Sequence, residues 1–298
     1  MSDHVDGSRR ALGVALALTS ATCFGIMPVL TKIVYDDGAG TIGVLSVRFT
    51  IAAVLLLGLA RFRGEPLPSG RTLGQLLLLG GVGYVVESLC YFSALERISA
   101  GLTALLLYLY PALVVLLAGV LLHHRPRPLA LGCVVVATAG SALTIGPVAG
   151  GQTVGVLLGL GAAASYALYI VLSSHATAGV GPFASSAVIM GACALVYDVL
   201  AVSTRAALPA APGGWLALVG IAVFGTVVAV SAFFAALALL GPGDTAVVST
   251  VEPVVSVVAA FLVLGERLSL VQVLGGLLVL SAVLVLTRSR PVEEVVPA

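Results

Sequence analysis

The chain has 298 residues, of which 60% are hydrophobic and only 9% are charged. Soluble globular proteins carry roughly 25% charged residues, which they need to cover their surface. The composition therefore excludes a soluble protein and indicates a chain surrounded by lipid. A net charge of +1 also excludes the broad basic surface that nucleic-acid binding requires, so no nucleic-acid partner is expected.

Ten apolar stretches are bordered by charged residues or by Pro and Gly, and each is long enough to cross a bilayer. They cover residues 11–35, 41–60, 72–95, 100–122, 128–146, 152–174, 182–203, 215–240, 243–264 and 268–287. Because the connections are short, neighbouring spans must run antiparallel. The sequence predicts an all-α integral membrane protein with ten transmembrane helices.

The two halves of the chain repeat each other at an offset of 142 residues, from Gly13 to about Arg125. The matches include the pairs Gly13 and Gly155, Gly83 and Gly225, Gly101 and Gly243, and Pro111 and Pro253. A unit of five spans forces the second unit to enter the membrane from the opposite side. We predict two inverted five-helix repeats, residues 11–146 and 152–287, between tails formed by residues 1–10 and 288–298.

The distribution of basic residues predicts the orientation. Nine fall on the side of the N-terminus: Arg9, Arg10, Arg61, Arg63, Arg71, Arg125, Arg127, Arg288 and Arg290. Only Lys32, Arg97, Arg205 and Arg267 fall on the other side. Because basic residues concentrate on the cytoplasmic side, we predict a multi-pass protein of the bacterial inner (plasma) membrane with both termini cytoplasmic.

The cysteines give no sign of a disulfide framework or a metal site. Cys23, Cys90, Cys133 and Cys193 all lie in apolar runs, without paired or ligand-type spacing. We expect them to pack as small hydrophobic side chains. No metal and no cofactor is expected.

Charged residues inside the spans are costly and therefore need partners, protonation or water. Arg48 and Glu87 each lie about 12 Å below the outer edge of the membrane. Equal depth on different helices permits an ion pair, for which two interpretations remain open. In the first, Arg48 binds an anionic substrate group and Glu87 is its counter-charge or proton carrier. In the second, the pair is structural and fixes the packing of two helices.

Glu252 lies near the middle of its span and precedes Pro253. Proline lacks an N–H group, so it releases the carbonyl of residue 249 from its helical hydrogen bond. A protonatable carboxyl group beside such a kink suits proton coupling, and the alternative is a neutral Glu hydrogen-bonded across helices. Pro28 and Pro111 are the other predicted helix kinks.

Several further side chains have both a functional and an ordinary interpretation. Tyr91 follows Glu87 by four residues on the same helix face, and Tyr110 lies in the fourth span. Both either line a cavity or act as packing aromatics. Lys32 either lines the outer vestibule or extends to the lipid headgroups. Asp198 fits a hydrated interface better than a cavity, and two glutamates at span ends, Glu96 and Glu266, are expected to be solvated caps.

Four motifs of the second half occur in order: residues 243–246 (Gly-Asp-Thr-Ala), 251–255 (Val-Glu-Pro-Val-Val), 264–268 (Leu-Gly-Glu-Arg-Leu) and 272–275 (Gln-Val-Leu-Gly). Together with residues 24–32 and Arg48-Phe49, this pattern resembles the EamA-type branch of the drug/metabolite transporter superfamily. The resemblance covers about residues 11–287 and implies a ten-helix permease for small metabolites such as amino acids, commonly moving them outward. The first half departs from the pattern, with Tyr110-Pro111 in place of Glu-Pro and His123-His124 in place of Gly-Glu.

The leading hypothesis is thus a secondary transporter that exports a small metabolite by alternating access. Its expected partners are the small-molecule substrate and membrane lipid, with protons as an optional coupling ion. Small residues on the fifth and tenth spans fit either packing within one chain or a homodimer. An integral-membrane enzyme is the alternative, disfavoured because no metal cluster, Ser–His pair or phosphate-binding loop is evident. A purely structural protein would not need charges in the bilayer.

Overall fold

The computed structural model describes residues 2–121, 128–145, 152–176 and 179–288. Within these ranges every regular element is a helix, which confirms the all-α prediction. The elements are α1 (Ser2–Asp36), α2 (Thr41–Phe62), α3 (Gly70–Leu78), π1 (Leu79–Tyr84), α4 (Val85–Leu95), α5 (Ala100–Leu107), α6 (Tyr110–Leu121), α7 (Pro128–Ile145), α8 (Thr153–Ala176), α9 (Pro182–Thr204), α10 (Pro212–Ala222), π2 (Val223–Val228), α11 (Ala229–Ser249), α12 (Glu252–Leu264) and α13 (Leu270–Arg288). His123, His124, Arg125, Arg127 and Arg290 lie outside the described residues.

These elements form ten spans, numbered here in chain order. Eight helical segments are long and apolar enough to cross a membrane: Arg9–Asp36, Thr41–Phe62, Gly70–Leu95, Ala100–Leu117, Thr153–Ser173, Pro182–Thr204, Pro212–Gly241 and Asp244–Leu264. They are spans 1 to 4 and 6 to 9. The shorter apolar helices Leu131–Leu143 and Leu270–Leu286 are spans 5 and 10. The chain is therefore a multi-span membrane protein, and the ten-helix prediction is confirmed.

The helices pack with the symmetry of an inverted repeat. Span 2 packs on span 7 and span 5 on span 10, so each of these spans contacts its own repeat equivalent. Span 1 contacts spans 8 and 9, and its equivalent, span 6, contacts spans 3 and 4 in the same way. Span 4 also contacts span 9. The interface between the repeats therefore runs through the middle of the bundle.

Apolar side chains cover both the interior and the outside of the bundle. Phe49, Phe92 and Tyr197 are among the largest fully buried side chains, whereas Leu195 and Leu262 are 67% and 72% exposed. A soluble protein would lose solubility with so many exposed aliphatic groups. In a bilayer the same groups face hydrocarbon, which accounts for the composition.

Acidic residues near the span borders hydrogen-bond the N-terminal N–H groups of other helices. Such groups have no partner within their own helix, and a carboxylate also interacts favourably with the positive end of the helix dipole. Glu96 accepts from Thr41 N (3.2 Å) and Thr41 Oγ1 (2.5 Å), and Glu266 accepts from Ala100 N (2.9 Å) and Gly101 N (3.2 Å). Asp37 accepts from Ala211 N (2.8 Å), and Glu65 from Ala184 N (2.7 Å). Glu96 and Glu266 are thus helix caps. Glu96 follows span 3 but caps span 2, and Glu266 follows span 9 but caps span 4.

A tight turn joins spans 8 and 9. α11 is helical on both sides of Gly241, which itself has φ 77° and ψ 170°. This backbone conformation is accessible to glycine at little cost. The turn allows span 9 to return antiparallel beside span 8, and it places the start of span 9 at the end of the bundle that holds the N-terminus, where Arg10 pairs with Asp244 at 3.2 Å.

Candidate functional site

Spans 4 and 9 are both broken in the middle, at equivalent positions of the two repeats. In span 4, α5 ends at Leu107 and α6 begins at Tyr110. In span 9, α11 ends at Ser249 and α12 begins at Glu252. Each new helix has proline as its second residue, where the missing N–H group costs nothing. Broken helices near the bilayer centre expose backbone groups that a transported solute or ion can contact.

Tyr108 joins the two breaks. It lies in the break of span 4, and its hydroxyl donates a 2.5 Å hydrogen bond to the carbonyl oxygen of Ser249. This is the carbonyl that Pro253 was predicted to release. The same hydroxyl lies 3.5 Å from Glu252 Oε2, a weak contact. One tyrosine thus satisfies the backbone of span 9 and touches the carboxyl group that follows it.

Glu252 is the first residue of α12 and is half-buried. Span 1 packs closely against it at Gly25. A Cβ atom at Gly25 would lie 2.8 Å from the Glu252 carbonyl oxygen and 2.8 Å from Val255 Cβ. Only glycine permits this approach, so the sequence of span 1 determines how closely that helix packs against the break of span 9.

Spans 3 and 8 each contain a π-helical segment, again at nearly equivalent positions of the repeats. π1 covers Leu79–Tyr84 and π2 covers Val223–Val228. A π-helical turn holds one residue more than an α-helical turn, and it is frequent at functional sites. Cys193 donates a 3.2 Å hydrogen bond to the Gly80 carbonyl in π1, and Thr226 in π2 donates to the Ile221 carbonyl at 3.1 Å. Polar side chains thus hydrogen-bond the carbonyls at both segments.

Arg48 lies in span 2 and is only 2% exposed. Its Nε donates a 3.0 Å hydrogen bond to Thr226 Oγ1 in π2. Its guanidinium carbon lies 4.9 Å from the ring centroid of Phe49 and 5.0 Å from that of Phe92, which are cation–π distances. Among the described residues no direct ion pair joins Arg48 to Glu87. The contact that equal depth permits is therefore not formed.

Glu87 follows π1 in span 3 and is 7% exposed. Arg48 acts on it electrostatically without touching it. Within the described part of the chain, no side chain or N–H group donates a hydrogen bond to its carboxyl oxygens, although neither oxygen is enclosed completely. The carboxyl group therefore has acceptor positions that no described donor fills.

Tyrosine rings line the space between the two carboxyl groups. Tyr84, Tyr166 and Glu252 are surrounded by protein atoms, yet each is only half-buried, as expected of side chains around an internal space. Ring contacts connect Tyr108 to Tyr110 (5.8 Å), Tyr110 to Tyr166 (4.8 Å), Tyr166 to Tyr169 (6.1 Å) and Tyr169 to Tyr84 (5.2 Å). Glu87 and Glu252 both act electrostatically on Tyr91, which is 4% exposed.

Of these tyrosines, only Tyr91 and Tyr110 were among the predicted site residues. Tyr166 and Tyr169 lie in span 6, which has no charged residue to draw attention to it. The available signal was the repeat, because at the offset of 142 residues they align with Phe24 and Met27 of span 1. Span 1 and span 6 therefore flank the two breaks in equivalent ways.

Lys32 and Asp198 lie away from this space. Lys32 is half-buried in span 1 and lies within electrostatic range of Glu266 and Asp36, near one end of the bundle. Asp198 accepts hydrogen bonds from Ser46, and from Thr50 at 3.0 Å, so it joins span 7 to span 2. Pro28 lies inside α1, which continues through it as one helix. Asp198 is therefore a packing residue of the span 2 and span 7 interface.

Comparisons with known proteins agree on one family. The model of the EamA-like transporter family matches residues 11–146 and again residues 153–288. The uncharacterized transporter YcbK of Bacillus subtilis is 27% identical over 89% of this chain and 89% of its own length. An uncharacterized transporter of Archaeoglobus fulgidus is 28% identical over 93% and 96%. The uncharacterized inner membrane transporter YedA of Escherichia coli K12 is 29% identical over 80% and 79%.

The fold also matches a solved structure. A crystal structure of a protein with 20% sequence identity superposes with a TM-score of 0.64 and covers 92% of this chain and 95% of that one. At this identity the likeness concerns the fold alone. It supports the overall arrangement of the helices.

Proposed function

Because the chain belongs to the EamA-like transporter family, we propose that it exports a small metabolite, such as an amino acid or a related compound, by alternating access. The family makes it a transporter rather than a membrane enzyme. The observation that carries the proposal is the meeting of two equivalent helix breaks at Tyr108, Ser249 and Glu252. Inverted repeats with broken helices at their interface are the usual architecture of secondary transporters.

In this proposal the two units, residues 11–146 and 152–287, move relative to each other around the space between the breaks. Spans 3 and 8 bend at π1 and π2, since these segments interrupt the α-helical hydrogen-bond ladder in both units. Both termini lie in the cytoplasm, as the distribution of basic residues predicts. The two tails, residues 1–10 and 288–298, are cytoplasmic in this proposal.

Arg48 has a positioning role in this scheme. Its Nε bond to Thr226 and the rings of Phe49 and Phe92 hold the guanidinium between spans 2, 3 and 8. This arrangement favours the structural interpretation over bidentate binding of a substrate carboxylate. Its charge partly compensates Glu87 from a distance.

Glu252 is the proposed proton carrier. Its only side-chain contact of hydrogen-bond type in the described structure is the 3.5 Å one to Tyr108, so a proton can exchange there without breaking a strong ion pair. The carboxyl group also follows the break directly, where a conformational change alters its access to water. Lys32, near one end of the bundle, is proposed to line the outer vestibule, and lipid surrounds the spans.

The proposal is tested with purified protein in liposomes. The vesicles are loaded with one compound from a panel of amino acids and amines. They are then diluted into buffer that contains the same compound in labelled form, and counterflow is recorded. We expect counterflow of at least one compound by the wild type and by Val254→Ala, a control at a 45% exposed position next to the site. Absence of counterflow for every compound would overturn the proposal, as would chemical conversion of a compound without flux.

Proton coupling is tested on the compound that moves. We expect an imposed pH gradient to drive its accumulation by the wild type and not by Glu252→Gln, a variant that keeps the shape of the side chain. Accumulation by Glu252→Gln at the wild-type level would show that another group carries the proton. If the pH gradient does not change accumulation by the wild type, transport is uncoupled from protons.

A further inference from the structure

The carboxyl groups around the breaks are bonded differently from four other acidic groups near or within the spans. Glu65, Glu96, Glu266 and Asp198 each accept at least one hydrogen bond of 3.0 Å or shorter from a described residue. Glu87 accepts no hydrogen bond from a described residue, and Glu252 has only the 3.5 Å contact to Tyr108. A carboxylate with unused acceptor positions in a bilayer is costly unless something else binds it. Glu87 and Glu252 therefore have capacity for a ligand.

The charges of this region do not balance. In the described part of the bundle around the breaks, the charged groups are Arg48, Glu87 and Glu252, which is one cation and two carboxylates. Arg48 is already held by Thr226 and two phenylalanine rings. With both carboxyl groups ionised, one negative charge is left over. Either a proton on Glu252 or a single positive charge on a ligand would neutralise it, so a cationic ligand can take the place of the proton.

The lining of the space suits a cation for a second reason. Tyr84, Tyr110, Tyr166 and Tyr169 form a continuous set of ring contacts next to Glu87. The face of an aromatic ring attracts an ammonium group, and several rings around one ammonium form an aromatic cage. Tyr91 lies within electrostatic range of both carboxyl groups. The carboxylates and the rings thus favour the same kind of ligand.

We propose that the transported substrate is an organic monocation, and that Glu87 and Glu252 bind its ammonium group among the tyrosine rings. This inference rests on the proposed function, because it takes the space between the breaks as the transport site. An anionic substrate would add to the excess negative charge. A zwitterion would leave that excess in place, because its own two charges cancel.

The test measures binding separately from transport. Affinities of the purified protein are measured by calorimetry for two matched series. The first is tyramine (cation), tyrosol (neutral) and 4-hydroxyphenylacetate (anion), with tyrosine as the zwitterion. The second is choline and its neutral isostere 3,3-dimethyl-1-butanol. We expect at least one cation to bind ten-fold or more tightly than its neutral counterpart, and the anion to bind weakest.

Variants assign the effect to the two carboxyl groups. Glu87→Gln and Glu252→Gln should each weaken cation binding ten-fold or more, while the neutral compounds change little. Asp198→Asn, which removes a carboxylate outside the space, should leave cation binding within two-fold. Thermal unfolding of each variant, compared with wild type, identifies a variant that fails to fold. If only one of the two Gln variants folds, its affinities are compared with those of the wild type.

The outcomes separate this proposal from the transport proposal. Binding of a cation without flux in liposomes would support the cation site and overturn transport. Flux of a neutral, zwitterionic or anionic compound, with no cation preference in either series, would support transport and overturn the cation site. Unchanged cation affinity in a folded Glu87→Gln and a folded Glu252→Gln would also overturn it.

Discussion

The hydroxyl of Tyr108 donates a 2.5 Å hydrogen bond to the carbonyl oxygen of Ser249. The donor lies at the break of span 4 and the acceptor at the break of span 9, four residues before Pro253. Proline makes the carbonyl available, and the repeat brings the opposite break to it. The bond therefore couples the two halves of the chain at their interface.

Replacing Tyr108 with Phe should destabilise the protein by about 1–3 kcal/mol, because the Ser249 carbonyl is left without this donor in a water-poor interior. Transport should fall as well, since Glu252 loses its contact with Tyr108. The measurement is equilibrium unfolding together with counterflow. Thr138→Val is the matched control: it removes a hydroxyl that bonds only the Val134 carbonyl of its own helix, and it should cost no more than about 0.5 kcal/mol. Equal stability of Tyr108→Phe and Thr138→Val would contradict the prediction.

Arg48 and Thr226 are predicted to act as one structural unit. Thr226→Val removes the acceptor of the Arg48 Nε bond and should lower stability by about 1.5–3 kcal/mol, the range for hydrogen bonds to charged groups. Thr226→Ser keeps the hydroxyl and should retain most of the stability. Arg48→Met should lose folded protein altogether. A well-folded Arg48→Met that no longer transports would instead favour direct contact between Arg48 and the substrate.

Gly25→Ala should separate span 1 from span 9, because the added Cβ would lie 2.8 Å from the Glu252 carbonyl oxygen. We expect lower stability, by about 1–3 kcal/mol as in other overpacked sites, and slower transport. Gly191→Ala is the control within span 7, since a Cβ there meets nothing within 4 Å. It should be neutral or stabilising by up to about 1 kcal/mol. Similar losses in both variants would show that the close approach at Gly25 is not special.

Glu266→Ala should weaken the start of span 4, where Glu266 accepts from the N–H groups of Ala100 and Gly101. Removal of a helix cap costs about 0.5–2 kcal/mol. Glu266→Gln keeps an acceptor oxygen and should recover part of this loss. Unfolding of these variants and of Arg267→Ala, at an exposed neighbouring position, provides the measurement. If Arg267→Ala loses as much stability as Glu266→Ala, the loss reflects a general effect of the loop and not the cap.

Much of the fold could be predicted from the sequence because a bilayer imposes simple requirements. Apolar runs of about 20 residues mark the spans, and the offset between Pro111 and Pro253 marks the repeat. The release of the carbonyl of residue 249 also followed from covalent structure alone. These features depend on local chemistry or on counting along the chain.

The contacts of Arg48 could not be predicted in this way. The rise of a helix gives the depth of Arg48 and Glu87, but the rotation of each helix decides whether they meet. π1 precedes Glu87 and contains the extra residue of a π-helical turn, which rotates the rest of span 3 by about 100° relative to a regular α-helix. No hydrophobic pattern in such an apolar span shows this rotation. Tyr166 and Tyr169 were missed because, unlike Tyr91 near Glu87 and Tyr110 beside Pro111, they have no charged residue or proline near them in the sequence.

If the protein transports by alternating access, the space between the two breaks opens to both sides of the membrane in turn. The direct test replaces Cys23, Cys90 and Cys133 with Ala and Cys193 with Ser, which keeps a donor for the Gly80 carbonyl, and introduces Tyr110→Cys. Membrane-impermeant maleimide is then applied from one side or the other of sealed vesicles. We expect labelling from both sides, at rates that a bound substrate changes in opposite directions. Labelling from only one side under all conditions would contradict it.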